Sequence, residues 1–386
     1  MPLPKYTVNW VDSESEIAPE LWQAYFPAPY EGHWWYQVME RCGIQDQFTF
    51  LYAVVSDSSG TIAIAPAFVM NVPMRLVLPP AILPLANLIG HIVPSALYQR
   101  TLFIGSPCSD EGHVGMLDGV NRLAVLNSIE LAMVSKAKQL QASMRVWKDF
   151  PQQYAIDFTS LNAHLFKVVS FPGTSVELPD ATKDGYLATL KSSRRNKLKK
   201  KLRLAAESPV DVEVIQQPDS EILNELFNLF WQTYEKGGTK FERLNRKFFD
   251  LIAAETNSHF IILREQSNGK IVAFMLCFAL GDQVINKFIG IDYQQPKEWF
   301  LYFKLWEAAV DWAAGIGAKS IQSGQTGYAP KIELGNQLVP LTNYCAHLNP
   351  VINWIYAKVA KTINWDTLDA DLAIYLKAYP DEKPTL

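Results

Sequence analysis

Val284-Ile285-Asn286-Lys287-Phe288-Ile289-Gly290-Ile291 has the composition of a strand, and the stretch from about Glu298 to Ile316 follows it with an amphipathic helical period. A short strand, Lys319 to Ser323, comes next. It leads into a polar loop, Gly324-Gln325-Thr326-Gly327-Tyr328-Ala329-Pro330-Lys331, with Gly335 four residues past the lysine. Strand, helix, strand and loop form a βαβ crossover, which leaves its loops at the carboxyl ends of the strands, where ligands bind. No other stretch puts so many polar, conformationally special residues beside so regular a scaffold.

Working outward, the same half of the chain begins near His164. Leu165 to Leu178 reads as a strand pair or one long strand, Asp184 to Ala206 as a basic helix, and Val210 to Ile215 as a strand. Helices follow at Glu221–Tyr234 and Asn245–Ala254. The strands His259–Arg264, Ile271–Leu280 and the opening run are joined by Ser267-Asn268-Gly269 and Gly281-Asp282, both tight-turn chemistry. A strand over 338–346 and a helix Val351–Thr362 close the series. The first half is a shorter version: a helix His33–Arg41, a hairpin of Phe48–Val55 and Thr61–Val72, a strand Thr101–Gly105, a helix Leu117–Leu140 and a strand Met144–Trp147. The two similar orders predict an α+β protein of two related domains, 1–160 and 161–350, each a mixed sheet flanked by helices, with a helix and tail over 351–386.

At 386 residues, 49% hydrophobic and 19% charged, the chain has the composition of an ordinary globular protein with capacity for two cores. Cys42, Cys108, Cys277 and Cys345 lie far apart with no CxxC pair, which argues against a metal site or a disulfide framework. Met1-Pro2-Leu3-Pro4-Lys5 lacks the profile of a signal peptide, so a cytoplasmic location is expected.

Charge is unevenly placed. Lys191 to Arg203 carries eight basic residues and no acid; without those eight charges the chain, −4 overall, stands at −12. An apolar stripe of Leu187, Leu190, Leu198, Leu202 and Ala205 fits a plain surface helix with one packed face. Uncompensated cations at i,i+3 and i,i+4 repel one another, however, so an anion nearby is the other reading. The concentrated patch suits a phosphate-bearing ligand better than duplex DNA, and Arg194 and Arg195 are the best guanidinium forks for it. Leu76 to Tyr98 is almost uncharged but broken by Pro79, Pro80, Pro84 and Pro94. It reads as a buried irregular connection with a short helix, or else as an acyl-chain groove or a membrane-surface lip.

Three segments together resemble the GNAT acyltransferase fold, and within it the Fem-type transferases of the "peptidoglycan biosynthesis/recognition" branch, with its BioF2-like acetyltransferase domain. They are Ser193-Arg194-Arg195-Asn196-Lys197-Leu198-Lys199-Lys200, Phe230 to Phe249, and Ala308 to Gly317 running into Gly324 to Gly335. The resemblance covers about 165–350 well and 20–160 in element order only. It implies two tandem GNAT-like domains with substrate in the cleft of one or both. It also implies an N-acyl- or aminoacyl transfer from acyl-CoA or aminoacyl-tRNA to a small-molecule or peptide amine, with no tightly bound cofactor. The family's lysine with a glycine four positions later falls on Lys331 and Gly335, where the cation could stabilise the oxyanion of acyl transfer; a loop lysine without a role is the plainer reading. Acetyl-CoA-dependent members hold pyrophosphate on a glycine-bearing loop at a helix N-terminus. Here that loop is Asp292-Tyr293-Gln294-Gln295-Pro296-Lys297-Glu298-Trp299, without glycine, and Fem-type proteins also lack it and use aminoacyl-tRNA.

Asp292 is a candidate general acid or base, or a turn aspartate, and Tyr328 completes the catalytic set. Lys287, Tyr293, Tyr302, Gln325, Thr326, Gly327 and Gly335 join Arg194 and Arg195 as candidates for binding substrate or co-substrate. Asp110-Glu111-Gly112-His113 reads as a capping element rather than a catalytic dyad. Two rival functions stand beside the transferase: a non-catalytic scaffold that kept the fold, and a long-chain N-acyltransferase with a groove at 76–98, in peripheral contact with a membrane.

Overall fold

The run Phe166 to Glu177 serves two different sheets. In the computed structural model, which describes residues 6–74, 97–161, 164–237 and 242–382, the chain divides into two units. The first comprises 1–27, 44–171 and 340–386, and the second 28–43 and 172–339. Both are therefore discontinuous, where the order of elements predicts a single break near residue 160. The apolar stretch 76–98 lies almost wholly outside the described residues, and no helix among those described is long and apolar enough to cross a membrane.

The first unit holds β1 (Thr7–Val11), β2 (Thr49–Asp57), β3 (Gly60–Pro73), β4 (Tyr98–Ile104), β5 (Gly115–Met116), β6 (Met144–Pro151), β7 (Phe166–Val169) and β15 (Leu341–His347), in the sheet order β1-β2-β3-β4-β6-β15-β7 with β5 on β3. Its helices are α1 (Pro19–Tyr25), α3 (Arg122–Gln139), α4 (Ala155–Ser160), α11 (Pro350–Ala360), α12 (Trp365–Leu368) and α13 (Ala370–Ala378); α1, α4, α12 and α13 are additions to the predicted series. Asn121 caps α3 by accepting from the Ala124 N–H at 3.0 Å, and α3 buries Val125, Ile129 and Met133 against Val55, Leu102 and Ile104. Glu130, on the same helix, is buried but satisfied: Arg145 Nε donates to it at 2.6 Å and Trp147 Nε1 at 2.7 Å.

The second unit contains β8 (Gly173–Glu177), β9 (Val210–Ile215), β10 (Ser258–Glu265), β11 (Ile271–Leu280), β12 (Gln283–Ile291), β13 (Ser320–Gln322) and β14 (Gln337–Val339), ordered β14-β8-β13-β12-β11-β10-β9. Its helices are α2 (His33–Arg41), α5 (Lys183–Thr189), α6 (Ser192–Ala206), α7 (Ser220–Lys236), α8 (Arg246–Ala253), α9 (Leu301–Gly315) and α10 (Tyr328–Glu333). The predicted basic helix is thus two helices, parted where Leu190 and Lys191 take extended ψ angles of 141° and 140°. On α9, Leu301, Leu305, Ala309 and Ala313 recur every fourth residue, which sets one face against Ile261, Val272 and Val284. Burial of each large side chain there contributes about 1.5–3 kcal/mol.

Both sheets centre on one parallel pair, β4 with β6 and β12 with β13, whose strands are joined through a crossover helix, α3 and α9 respectively. In each, an antiparallel meander lies on one side of that pair and later or earlier strands on the other.

Candidate active site at the split of two parallel strands

β12 and β13 stay together for only three pairs, Gln283↔Ser320, Val284↔Ile321 and Ile285↔Gln322. Beyond them β12 runs on to Ile291 with β11 alone, while Ser323 turns toward β8, its N–H donating to Thr174 O at 2.8 Å and Thr174 Oγ1 to Gly324 O at 2.9 Å. Past Ile285 that edge of β12 has no strand neighbour among the described residues. The ladder with β11 also slips there, between Leu276 and Cys277, so that Cys277 faces Asn286 and Leu276 faces Phe288. The extra residue is Lys287, and a bulge at this point re-aims the strand. Asn286, the first residue past the split, donates from Nδ2 to Ser323 Oγ at 3.3 Å and accepts from Cys277 Sγ at 3.1 Å.

In the first unit the matching place is filled. β4 ends at Ile104, beside Trp147, and the following loop lies back on the sheet through Gly105 N–H to Pro66 O and Gly112 N–H to Asp149 O, both 2.8 Å. A Cβ on Gly112 would come within 2.2 Å of Lys148 O and 2.5 Å of the Phe150 ring, which shows how tightly that loop is seated. Among the described residues, the open split is in the second unit.

The polar loop is held from inside. Gly324, Thr326 and Gly327 have φ of 59°, 67° and 62°, and this left-handed path leads into α10, a helix where a loop is predicted. Lys331 lies on α10 with 9% of its surface exposed, and its ammonium donates to the carbonyls of Ser323, of Gly324 at 3.3 Å and of Gln325 at 3.3 Å. An ammonium has three N–H donors, so Lys331 gathers the loop's carbonyls and is not a cation standing at the mouth of a cleft. Tyr328, fully buried, donates its hydroxyl to Pro172 O at 2.9 Å and anchors the loop in the same way. Two polar atoms are left over. Gln325 Nε2 and Asn336 Oδ1 are buried without a hydrogen-bond partner, a state that native interiors rarely leave unexplained.

Asp292, 4% exposed, accepts from Lys270 Nζ at 3.0 Å, from the Gln294 N–H at 3.0 Å and from Gln295 Nε2 at 3.1 Å. Burial alone would raise its carboxyl, but these bonds outweigh it and hold the group below the usual carboxylate range. A base held ionised and fully bonded organises its turn; it is not poised to take a proton. Lys287 pairs with Glu31 at 2.7 Å and lies 4.8 Å from the Trp35 ring centroid, its side chain buried between them. Tyr293 is exposed, under the Lys236 ammonium.

Arg194 and Gly335 come together beside Leu190, and Tyr302 lies near Tyr186. Gly335 has φ 89°, and a Cβ there would sit 2.2 Å from Leu190 Cδ2 and 3.8 Å from Arg194 Cδ. Tyr186 donates to Leu334 O at 2.5 Å and accepts from Trp306 Nε1 at 3.1 Å; burial pushes the hydroxyls of Tyr186 and its neighbour Tyr302 upward. Lys201 ties α6 to α10 through Glu333 at 2.6 Å, while Arg194 and Arg195 are half-buried and Lys197, Lys199, Lys200 and Arg203 exposed. The sequence reading passed over Asn286, Ser323, Tyr186 and Asn336. Only Asn286, a lone amide in an apolar strand run, carried a signal.

A fold with this geometry is a tandem GNAT-like one. Residues 176–357, a little under half of the chain, match the FemAB-like family model, described as peptidoglycan biosynthesis/recognition. Among solved structures the whole chain is similar to FemX at 12% identity, over 90% of this chain and 100% of that one, with a TM-score of 0.58. It is also similar to a tandem GNAT protein of the clavulanic acid biosynthesis pathway at 9% identity, over 89% and 99%, with a TM-score of 0.52. The L-PGS structure from Bacillus licheniformis aligns at 12% identity over 83% and 91%, TM-score 0.51. At these identities the likeness is one of fold. No curated protein sequence matches. Residues 176–357 thus carry the likeness to the FemAB-like family, on a fold that FemX and the tandem GNAT structure share.

Proposed function

We propose that the protein is an acyl- or aminoacyltransferase acting where β12 and β13 separate. That split, lying within the segment matched by the FemAB-like family, is the observation that carries the reading. An acceptor amine attacks the carbonyl carbon of an ester or thioester; the C–N bond forms, the bond to the leaving oxygen or sulfur breaks, and the leaving atom takes up the proton the amine loses. The tetrahedral oxyanion needs a preorganised donor. Gln325 Nε2, buried and unpaired in the loop that follows β13, is our candidate, with Lys331 and Tyr328 holding that loop in place.

The turn Asp292–Trp299 has no glycine and is fixed by the buried Asp292, so its side chains would crowd a pyrophosphate that a glycine loop lets approach. This favours aminoacyl-tRNA over acyl-CoA as donor, with the exposed cations of α6 on its phosphates. The test is transfer of labelled aminoacyl groups from charged tRNA, and of acetyl and long-chain acyl groups from CoA, to a panel of amines and amine-bearing peptides. Transfer from tRNA supports the full reading. Transfer from CoA alone replaces the donor assignment, and binding without turnover of either favours the scaffold.

A further inference from the structure

Helix α11 is apolar on both sides: Ile352, Val359 and Ala360 lie partly or fully buried, and a second apolar stripe faces outward. Its polar groups face the first unit: Asn353 Oδ1 accepts from the His347 N–H at 2.7 Å, and Asn353 Nδ2 donates to His164 O at 3.0 Å. Tyr356 stands edge-on to the His347 ring, with centroids 5.8 Å apart, and its hydroxyl meets the side chain of Gln99. The opposite face is apolar and exposed: Val351 65%, Trp354 63% and Ile355 45%. They lie at i, i+3 and i+4, and Lys358 completes the stripe at i+7, its ammonium 5.6 Å from the Trp354 ring centroid. From Pro340 to Trp365 the chain has no aspartate or glutamate, while Lys358 and Lys361 are both exposed.

We infer that this face docks on a membrane surface bearing anionic headgroups. Folding does not require an outward apolar stripe, and a contiguous one marks contact with an apolar medium. A tryptophan followed by two lysines, in a stretch without an acid from Pro340 to Trp365, matches the headgroup boundary, where the indole is half wet, the lysine stems lie along apolar surface and their charges meet lipid phosphates. A second copy of the chain fits less well. Three side chains of this size offer well under half of the roughly 800 Å² per partner that a standard stable interface buries. No described helix spans a bilayer, so the contact is peripheral. The inference stands independently of the transfer reading.

Flotation of the full chain with vesicles tests it, comparing neutral phosphatidylcholine with the same lipid containing about 30% phosphatidylglycerol. The protein is expected to float with the anionic vesicles and to be released by high salt. Lys358→Glu and Lys361→Glu should each weaken binding about fivefold or more. Trp354→Ser, alone and with Val351→Ser and Ile355→Ser, should abolish most of it while leaving the melting temperature unchanged, because these side chains are exposed. Should the triple variant unfold, Trp354→Ser and the lysine variants decide. Failure of the wild type to float with anionic vesicles, or equal flotation of wild type and Trp354→Ser, overturns the inference. So does a wild-type dimer in sedimentation that the substitutions convert to monomer.

Discussion

At Lys331 a positive charge lies almost out of water, balanced by carbonyl dipoles and not by an acid. Replacing it with methionine keeps the stem and strips the donors, leaving up to three carbonyls without their partner. Hydrogen bonds to charged groups contribute about 1.5–3 kcal/mol, so Lys331→Met should cost about 2–3 kcal/mol in urea unfolding and expose the 323–327 loop to proteolysis. A variant as stable as wild type would show that the loop does not depend on the lysine. The lysine–glycine spacing was legible in the sequence. Its role was not, because nothing in a linear string tells whether an ammonium points to ligand or back to its own loop. The same holds for Tyr328 and Asp292, whose partners Pro172 and Lys270 lie far away in sequence.

Among the elements, the contact between α10 and the α5–α6 junction depends on Gly335. Its left-handed φ and the Leu190 methyl group 2.2 Å from a would-be Cβ both penalise alanine. Gly335→Ala should lower stability by about 1–2 kcal/mol from backbone strain alone, and more from the clash. Adding Leu190→Ala should recover the steric share, a non-additivity that thermal unfolding of the single and double variants measures. On α6, Lys197→Glu and Lys200→Glu remove exposed cations without touching its packed face. Each should reduce the salt slope of tRNA binding by about 1, and an unchanged slope would take the helix out of the phosphate contact. Strong periodicity made α7, α9 and β10 to β12 readable nearly to their ends. α10 escaped because Pro330, tolerated in a first helical turn, reads as a loop residue. The runs 165–178 and 338–346 each contain two strands that pair with different sheets, which local patterning cannot reveal.

For the molecule as a whole, two interleaved units mean that the order of elements shows the tandem plan but misplaces its boundaries. Segment 28–43 joins the second unit through contacts such as Trp34 on Phe278, centroids 5.0 Å apart, and no local pattern announces them. Acid should weaken the first unit through His113. Burial pushes this imidazole down to about 4, against the modest opposing effect of the Tyr25 backbone. The folded chain keeps it neutral while the unfolded chain takes up a proton near pH 6.5, so stability is complete above that pH and falls as pH drops toward 4. The loss should be on the order of 2–3 kcal/mol, allowing for partial exposure, and His113→Gln should flatten it in urea titrations at pH 7 and 5. The central claim is that acyl transfer takes place at the split of β12 and β13 and uses the amide of Gln325. Transfer rates of wild type and Gln325→Ala, measured side by side with their melting temperatures, test it most directly. The account predicts equal or slightly higher stability, since an unpaired buried donor is removed, with a rate about 10²–10³-fold lower. Equal rates for the two proteins would contradict it.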